Sequence, residues 1–270
     1  MIMAAGVGTR LDPLTQSVPK PMVPVVNTPI IELILEHVRH FGITDAIANT
    51  HYLAKCIHDR FDNNTEIGIN LNYIHETTLS GTAGGVKKCE SFFEKDDAFV
   101  VISGDALTDV NLDKLVEKHK SKGAIATMAL KEVDHSSVSH FGVVVVDDKS
   151  RVIGFQEKPS IEEAKSNLVN TGIYVFQKDI FKYIPENTFY DFAKNVFPSL
   201  MKNNELMCAH VISDYWSDIG TTNQYRLACN DVLTGKVKVD FPHSPSKLGW
   251  TSSSAVIADN ITFKIGRAHV

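Results

Sequence analysis

The feature that most constrains the fold is the alternation of apolar segments along the first half of the chain. Short apolar runs at 1–5, 43–49, 67–74 and 98–103 read as strands, the third with one wet face because Ile67, Ile69, Leu71 and Tyr73 alternate with polar residues. Segments with helical spacing separate them. Thr28 and Pro29 read as the N-cap and first residue of a helix whose apolar face is Ile30, Ile31, Leu33, Ile34, Leu35, Val38 and Phe41, closed by Gly42. Residues 52–61, 81–93 and 112–122 read as further helices, the last ended by Gly123. Such alternation predicts an α/β, Rossmann-like, mostly parallel sheet with helices on both faces.

The pattern then changes. Runs at 125–130, 142–146, 152–156 and 169–176 read as strands with short connections, which makes the second half of the sheet mixed. Ser160-x-x-Glu163 reads as a capping box opening a short helix, and 189–201 and 221–233 read as later helices. The 270 residues suffice for one large domain, expected over 1–235, with a linker at 236–254. Residues 255–266 carry a six-residue rhythm that resembles the first coil of a left-handed β-helix. One or two coils cannot bury a core alone, so the chain reads as part of a longer protein. Met1 already lies in the first strand, and Arg267 to Val270 read as foreign to the rhythm.

Between the first strand and the first helix stands an irregular loop, Ala4-Ala5-Gly6-Val7-Gly8-Thr9-Arg10-Leu11-Asp12-Pro13-Leu14-Thr15, closed by Pro19-Lys20-Pro21-Met22. Gly6 and Gly8 permit a tight turn and close approach of backbone to ligand. Successive backbone N–H groups in such a turn can converge on one anion. Arg10 adds a forked cation suited to phosphate oxygens, and Lys20 a second positive charge on a segment stiffened by two prolines. A P-loop would need Gly-Lys-Ser/Thr after its second glycine, and a dinucleotide fingerprint a third glycine where Leu11 stands.

Composition narrows the partners. The net charge of −5 and the lack of a long basic run argue against nucleic acid as the main ligand. No apolar run approaches the length of a membrane span. Cys56, Cys89, Cys208 and Cys229 are scattered, so structural zinc or a disulfide framework is not expected, and a cytoplasmic setting is. No Ser/His/Asp or Cys/His set points to a covalent nucleophile.

Two acids stand where an open α/β sheet binds ligands. Asp105, in Ser103-Gly104-Asp105, follows a buried strand and suits Mg²⁺, which takes one or two carboxylates plus water and phosphate oxygens. Asp218, in Trp216-Ser217-Asp218-Ile219-Gly220-Thr221, lies at a second turn and offers a further carboxylate to the same ion. Asp109 reads as a turn or capping acid ahead of its helix.

The glycine loop with Pro19-Lys20-Pro21-Met22 resembles the signature of the sugar-nucleotide pyrophosphorylases, nucleotidyltransferases acting on sugar 1-phosphates. Ala5 fills a place that the family usually gives to glycine. The resemblance covers residues 1 to about 235 and implies the nucleotide-diphospho-sugar transferase fold, Mg²⁺, and small-molecule substrates (an NTP and a sugar 1-phosphate), with homo-oligomerisation left open. It implies metal binding by Asp105 and Asp218, and catalytic roles for Arg10, Lys20, Asp105 and Lys158. It places Ala5, Gly6, Gly8, Thr9, Arg10, Glu76, Gly81 and Thr82 at the nucleotide, and Gly142, Glu157, Lys158 and Asn170 at the sugar. Glu76 at the base leans toward GTP, because an ionised carboxylate only accepts hydrogen bonds and guanine offers two adjacent donors. The expected product is therefore GDP-mannose. A glucose-1-phosphate uridylyl- or thymidylyltransferase, and a catalytically silent sugar-nucleotide-binding subunit, are the alternatives.

Overall fold

The computed structural model describes residues 1–62 and 67–239. Most of the expected linker and the whole expected β-helix coil lie outside the described residues. The chain opens with β1 (Ile2–Met3), followed by the loop, which folds into three single turns at 9–11, 14–16 and 20–22. Then come β2 (Pro24–Val25), β3 (Thr28–Pro29), α1 (Ile30–His40), β4 (Asp45–Thr50), α2 (Ala54–Phe61) and β5 (Asn70–His75). They are followed by α3 (Gly81–Lys88), β6 (Ala98–Ser103), β7 (Ala106–Thr108) and α4 (Leu112–Lys122). The second half holds β8 (Ala126–Glu132), β9 (Gly142–Val146), β10 (Val152–Glu157), β11 (Leu168–Gln177), α5 (Phe197–Lys202), β12 (Met207–Ile212), β13 (Trp216–Asp218) and α6 (Thr222–Leu233).

Nine strands form the central sheet, in the order β10-β9-β11-β6-β1-β4-β5, with β8 joining β11 to β12. The pairs β1–β4, β1–β6 and β4–β5 are parallel, as helical crossovers require. β11 runs antiparallel to β6, β8 and β9, and makes the sheet mixed. The core beneath it is rich in aromatics. Phe176 is fully buried and lies 4.9 Å from Phe192, 5.3 Å from Tyr174 and 6.0 Å from Phe99, ring centre to ring centre.

Several expectations need correction. Thr28 and Pro29 do not open the first helix; they pair with Val25 and Pro24 in a small hairpin. The Ile30 N–H donates to Val23 O (3.2 Å), so the helix start needs no Thr hydroxyl. Ser160 Oγ does accept from Glu163 N–H (3.3 Å), yet only a turn forms. The Gln156 side chain binds Glu163 O (2.9 Å) and Lys165 N–H (2.8 Å), taking up groups a helix would use. The helix expected over 189–201 begins only after Asp191, whose carboxylate caps it by accepting from Lys194 N–H (3.0 Å). The segment 81–93 is α3 followed by a separate single turn at Glu90–Phe93. β7 and β12 were not expected, and β13 only as a strand of unstated bounds ahead of Asp218; β7 and β13 are three residues each, too short to show a period.

Candidate active site

The glycine loop leaves the sheet at the carboxyl end of β1, between β4 and β6. Asn49 at the end of β4 accepts from Ala4 N–H (2.9 Å), and Gly104 N–H beyond β6 donates to Met3 O (2.9 Å). Both flanking strands thus fix the point where the loop departs. Leu11 is fully buried and anchors the far side. Gly8 has φ +74°, and a Cβ there would stand 2.8 Å from Lys20 Cβ, so glycine is required both for conformation and for room. Thr15 Oγ1 donates to Gly8 O (3.0 Å) and ties the turn down. Ala5, Gly6, Gly8, Thr9 and Arg10 then line a cleft of about 460 Å³, shared with Lys20, Glu76, Gly81, Thr82 and Asp105.

The charged centre is built by a ribbon the sequence did not announce. β7 and β13 pair antiparallel with Ala106 opposite Asp218, and Ile219 N–H donates to Asp105 O (3.1 Å). This register sets the two acids side by side. Lys20, only 9% exposed, forms an ion pair with Asp105 and stands 3.6 Å from Asp218 Oδ1. Ser103 Oγ donates to Asp105. Burial works against the Asp105 charge, but the Lys20 ammonium and the Ser103 hydroxyl outweigh it and hold the carboxyl below the usual carboxylate range. Asp218 is pushed up to about 6 by burial and by the Asp105 charge, against the pull of Lys20 and Arg10. Its Oδ1 is buried and makes no hydrogen bond.

Two adjacent carboxylates, one with an orphaned buried oxygen, make a hard oxygen donor set that fits Mg²⁺. Among the described residues no cluster of three or more His, Cys, Asp or Glu could hold a metal by itself. The remaining ligands would have to come from water and substrate phosphate.

Glu76 is held by the protein itself. It lines the cleft but is 1% exposed, and its carboxylate is bound by protein donors: Asn49 Nδ2 (2.7 Å) on one oxygen, Ser80 N–H (3.0 Å) and Lys88 Nζ (3.3 Å) on the other. Burial raises its carboxyl, and these donors more than reverse the effect. Glu76 thus braces β4, β5 and α3 at the edge of the cleft. Gly81, at φ +76°, packs where a Cβ would meet Tyr190 O at 2.5 Å. Thr82 Oγ1 donates to Asp191 (2.8 Å) and accepts from Phe192 N–H (3.0 Å).

The residues assigned to the sugar do not line this cleft. Gly142 pairs with Glu157 at the end of the β9–β10 hairpin, and Lys158 N–H donates to Phe141 O (3.2 Å). The Glu157 and Lys158 side chains are exposed, and among the described residues neither makes an ion pair. β11 shifts register between Asn170 and Tyr174, a bulge that re-aims this stretch. Asn170 Nδ2 donates to the Tyr174 hydroxyl (2.7 Å), and Trp216 Nε1 donates to Thr171 O (3.0 Å), tying β11 to the Asp218 ribbon. Asp109 accepts from Tyr215 N–H (2.7 Å) and Lys238 N–H (3.0 Å), while Asn111 caps α4.

A phosphate-type loop over two acids and a buried lysine meets its counterpart in known sequences. Residues 1–235 match nucleotidyl transferase. The chain belongs to the nucleotidyl transferase family. It is 40% identical over 248 residues to the UTP–glucose-1-phosphate uridylyltransferase of Synechocystis, covering 88% of this chain. It is 30% identical over 236 residues to the mannose-1-phosphate guanylyltransferase of Mycobacterium tuberculosis, covering 87%. The chain spans 64% of the length of each of these relatives. A crystal structure of HddC from Yersinia pseudotuberculosis complexed with GMP-PN has the same fold (TM-score 0.73, 26% identity, 86% of this chain and 97% of that one).

Three further residues at this site carried no flag in the sequence. Asn49, Ser103 and Lys88 support the predicted residues through hydrogen bonds. Each is a polar residue at the end of a strand or helix, a weak signal without the pairing register.

Proposed function

We propose that the chain transfers a nucleotidyl group from an NTP to a sugar 1-phosphate, releasing pyrophosphate. The convergence of Arg10, Lys20, Asp105 and Asp218 at the mouth of the glycine loop carries this reading. Two polyanions must be brought together, which demands fixed positive charge. The phosphate oxygen of the sugar 1-phosphate is already a nucleophile, so no strong base is needed, and positioning with charge stabilisation suffices. The loop N–H groups and Arg10 would receive the departing pyrophosphate. Lys20 would neutralise charge near the reacting phosphorus, and Lys158 with Glu157, Asn170 and Gly142 would orient the sugar phosphate. Asp105 and Asp218 would hold Mg²⁺, which supplies charge neutralisation at the phosphates when bound.

For the substrate pair, UTP with glucose 1-phosphate has the most support, from the 40% identity to the Synechocystis uridylyltransferase. The lean toward GTP rested on Glu76, whose oxygens serve protein donors. GTP with mannose 1-phosphate is the second reading, supported by the mycobacterial relative. A pyrophosphate-release assay that crosses five NTPs with both sugar phosphates separates these readings. Binding of an NDP-sugar without turnover would favour the silent subunit instead.

A further inference from the structure

The two acids of the candidate active site share one cation. Among the described residues, Lys20 is the ion-pair partner of Asp105 and of Asp218 alike, standing 3.6 Å from Asp218 Oδ1. That Oδ1 makes no hydrogen bond, and the same carboxylate oxygens are the donor set that fits Mg²⁺. An ammonium and a divalent ion cannot lie together between the same carboxylates, because like charges that close repel strongly where water screens little. All three side chains are mostly buried, so the screening is weak. Lysine and metal therefore compete for one pair of acids.

Lys20 is fixed at its base and free at its tip. Pro19 and Pro21 flank it, Met22 N–H donates to Pro19 O (2.8 Å), and Val23 N–H donates to Lys20 O (3.1 Å). The first carbons of its side chain lie against Gly8, where a Cβ would stand 2.8 Å from Lys20 Cβ. Beyond them the stem of a lysine is flexible, and its compact ammonium has no planar fork to keep aligned. Lys20 also lines the cleft together with Gly6, Gly8 and Arg10. A turn about the outer bonds of the stem moves the ammonium within that cleft while the backbone stays in place.

We propose that Lys20 guards the acid pair: it gives up both carboxylates when Mg²⁺ binds and passes to the phosphates of the triphosphate, so that metal and nucleotide bind cooperatively. This rests on the nucleotidyl-transfer reading of the same cleft. With metal alone, the displaced ammonium loses two counter-charges and gains none, which weakens metal binding. With a triphosphate on the glycine loop it gains phosphate oxygens, and the penalty falls. Coupling of this kind is reciprocal, so metal raises nucleotide affinity by the same factor as nucleotide raises metal affinity.

The test titrates Mg²⁺ alone into the full chain by calorimetry. Wild type is compared with Lys20→Met and with Lys20→Met combined with Asp218→Asn. A binding-competent minor state of about 10% or less lowers apparent affinity by about tenfold or more. Lys20→Met is therefore expected to bind Mg²⁺ at least about tenfold more tightly than wild type, and the double variant to lose that gain. In a second arm, wild-type Lys20 is acetylated with acetic anhydride and read by mass spectrometry against the exposed Lys114. Its acetylation is expected to quicken with Mg²⁺ and to slow again when UTP is added. This arm decides the matter even where Lys20→Met fails to fold. A folded Lys20→Met that binds Mg²⁺ no more tightly than wild type, or a gain that persists in the double variant, overturns the guard while the transferase reading stands. So does acetylation that Mg²⁺ does not quicken or UTP does not slow. A wild-type chain that binds no NTP in the presence of Mg²⁺ overturns both.

Discussion

Lys20 is ion-paired to Asp105 and stands 3.6 Å from the otherwise unpartnered Oδ1 of Asp218. One ammonium thus serves two carboxylates that the β7–β13 ribbon forces together. The pair is largely shielded from water, so its charges are weakly screened. Removing the ammonium leaves two neighbouring carboxylates in mutual repulsion and removes a cation from the reacting phosphates.

Lys20→Met is therefore expected to lower pyrophosphate release by about 100- to 1000-fold at saturating substrates. The variant should also unfold at lower temperature than wild type without Mg²⁺, with part of the difference recovered when Mg²⁺ is added. A rate within tenfold of wild type would sink this role for Lys20.

Glu76→Gln separates a strut from a base reader. The neutral amide places an N–H₂ where an oxygen now accepts from Asn49 or from Ser80 and Lys88. The expected result is destabilisation by about 1–3 kcal/mol in urea unfolding, with the preference among NTPs unchanged. A switch of preferred base in the variant would restore Glu76 to the base edge.

His119 gives the fold an acid sensitivity of its own. It is 1% exposed, with Nδ1 3.0 Å from Thr127 Oγ1 and Nε2 without a partner. Burial, helped by the Lys120 charge, lowers its pKa to about 4. The unfolded chain protonates this histidine near pH 6.5 and the folded one near 4, so between these values the unfolded state holds more protons. Stability from this residue is complete above pH 6.5 and falls by up to about 3 kcal/mol as pH drops to 4. Urea midpoints from pH 7 to 4 should show a shallower slope in His119→Gln than in wild type. Identical slopes would contradict the assignment.

The aromatic core is tested by Phe176→Ala. The ring is fully buried among Phe99, Tyr174 and Phe192, and its loss should cost about 3–5 kcal/mol. Phe176→Leu should cost much less, and urea unfolding distinguishes the two.

Legibility in the sequence followed periodicity and glycine. β6, β9 and α4 lie within the residues read for them, because each carries a long enough run or a clear stop such as Gly123. The glycine loop, Lys20, Asp105 and Asp218 were legible because their residue types are unusual in combination. Their meeting was not, since it depends on two three-residue strands whose register no local pattern encodes. The hydrogen-bonded setting of Glu76 was hidden for a related reason. Its partners Asn49 and Lys88 come from β4 and α3, and only the folded chain shows that its oxygens are taken. Thr28-Pro29 had the chemistry of a helix start, but Val23 O supplied the hydrogen bond from the neighbouring hairpin.

The most direct test of the account is pyrophosphate release by the chain with Mg²⁺, crossing UTP, GTP, dTTP, ATP and CTP with glucose 1-phosphate and mannose 1-phosphate, beside Asp105→Asn. Release is expected to be strongest with UTP and glucose 1-phosphate, to require Mg²⁺, and to be abolished by Asp105→Asn. No release from a folded chain with any pair, or release undiminished in Asp105→Asn, would contradict it.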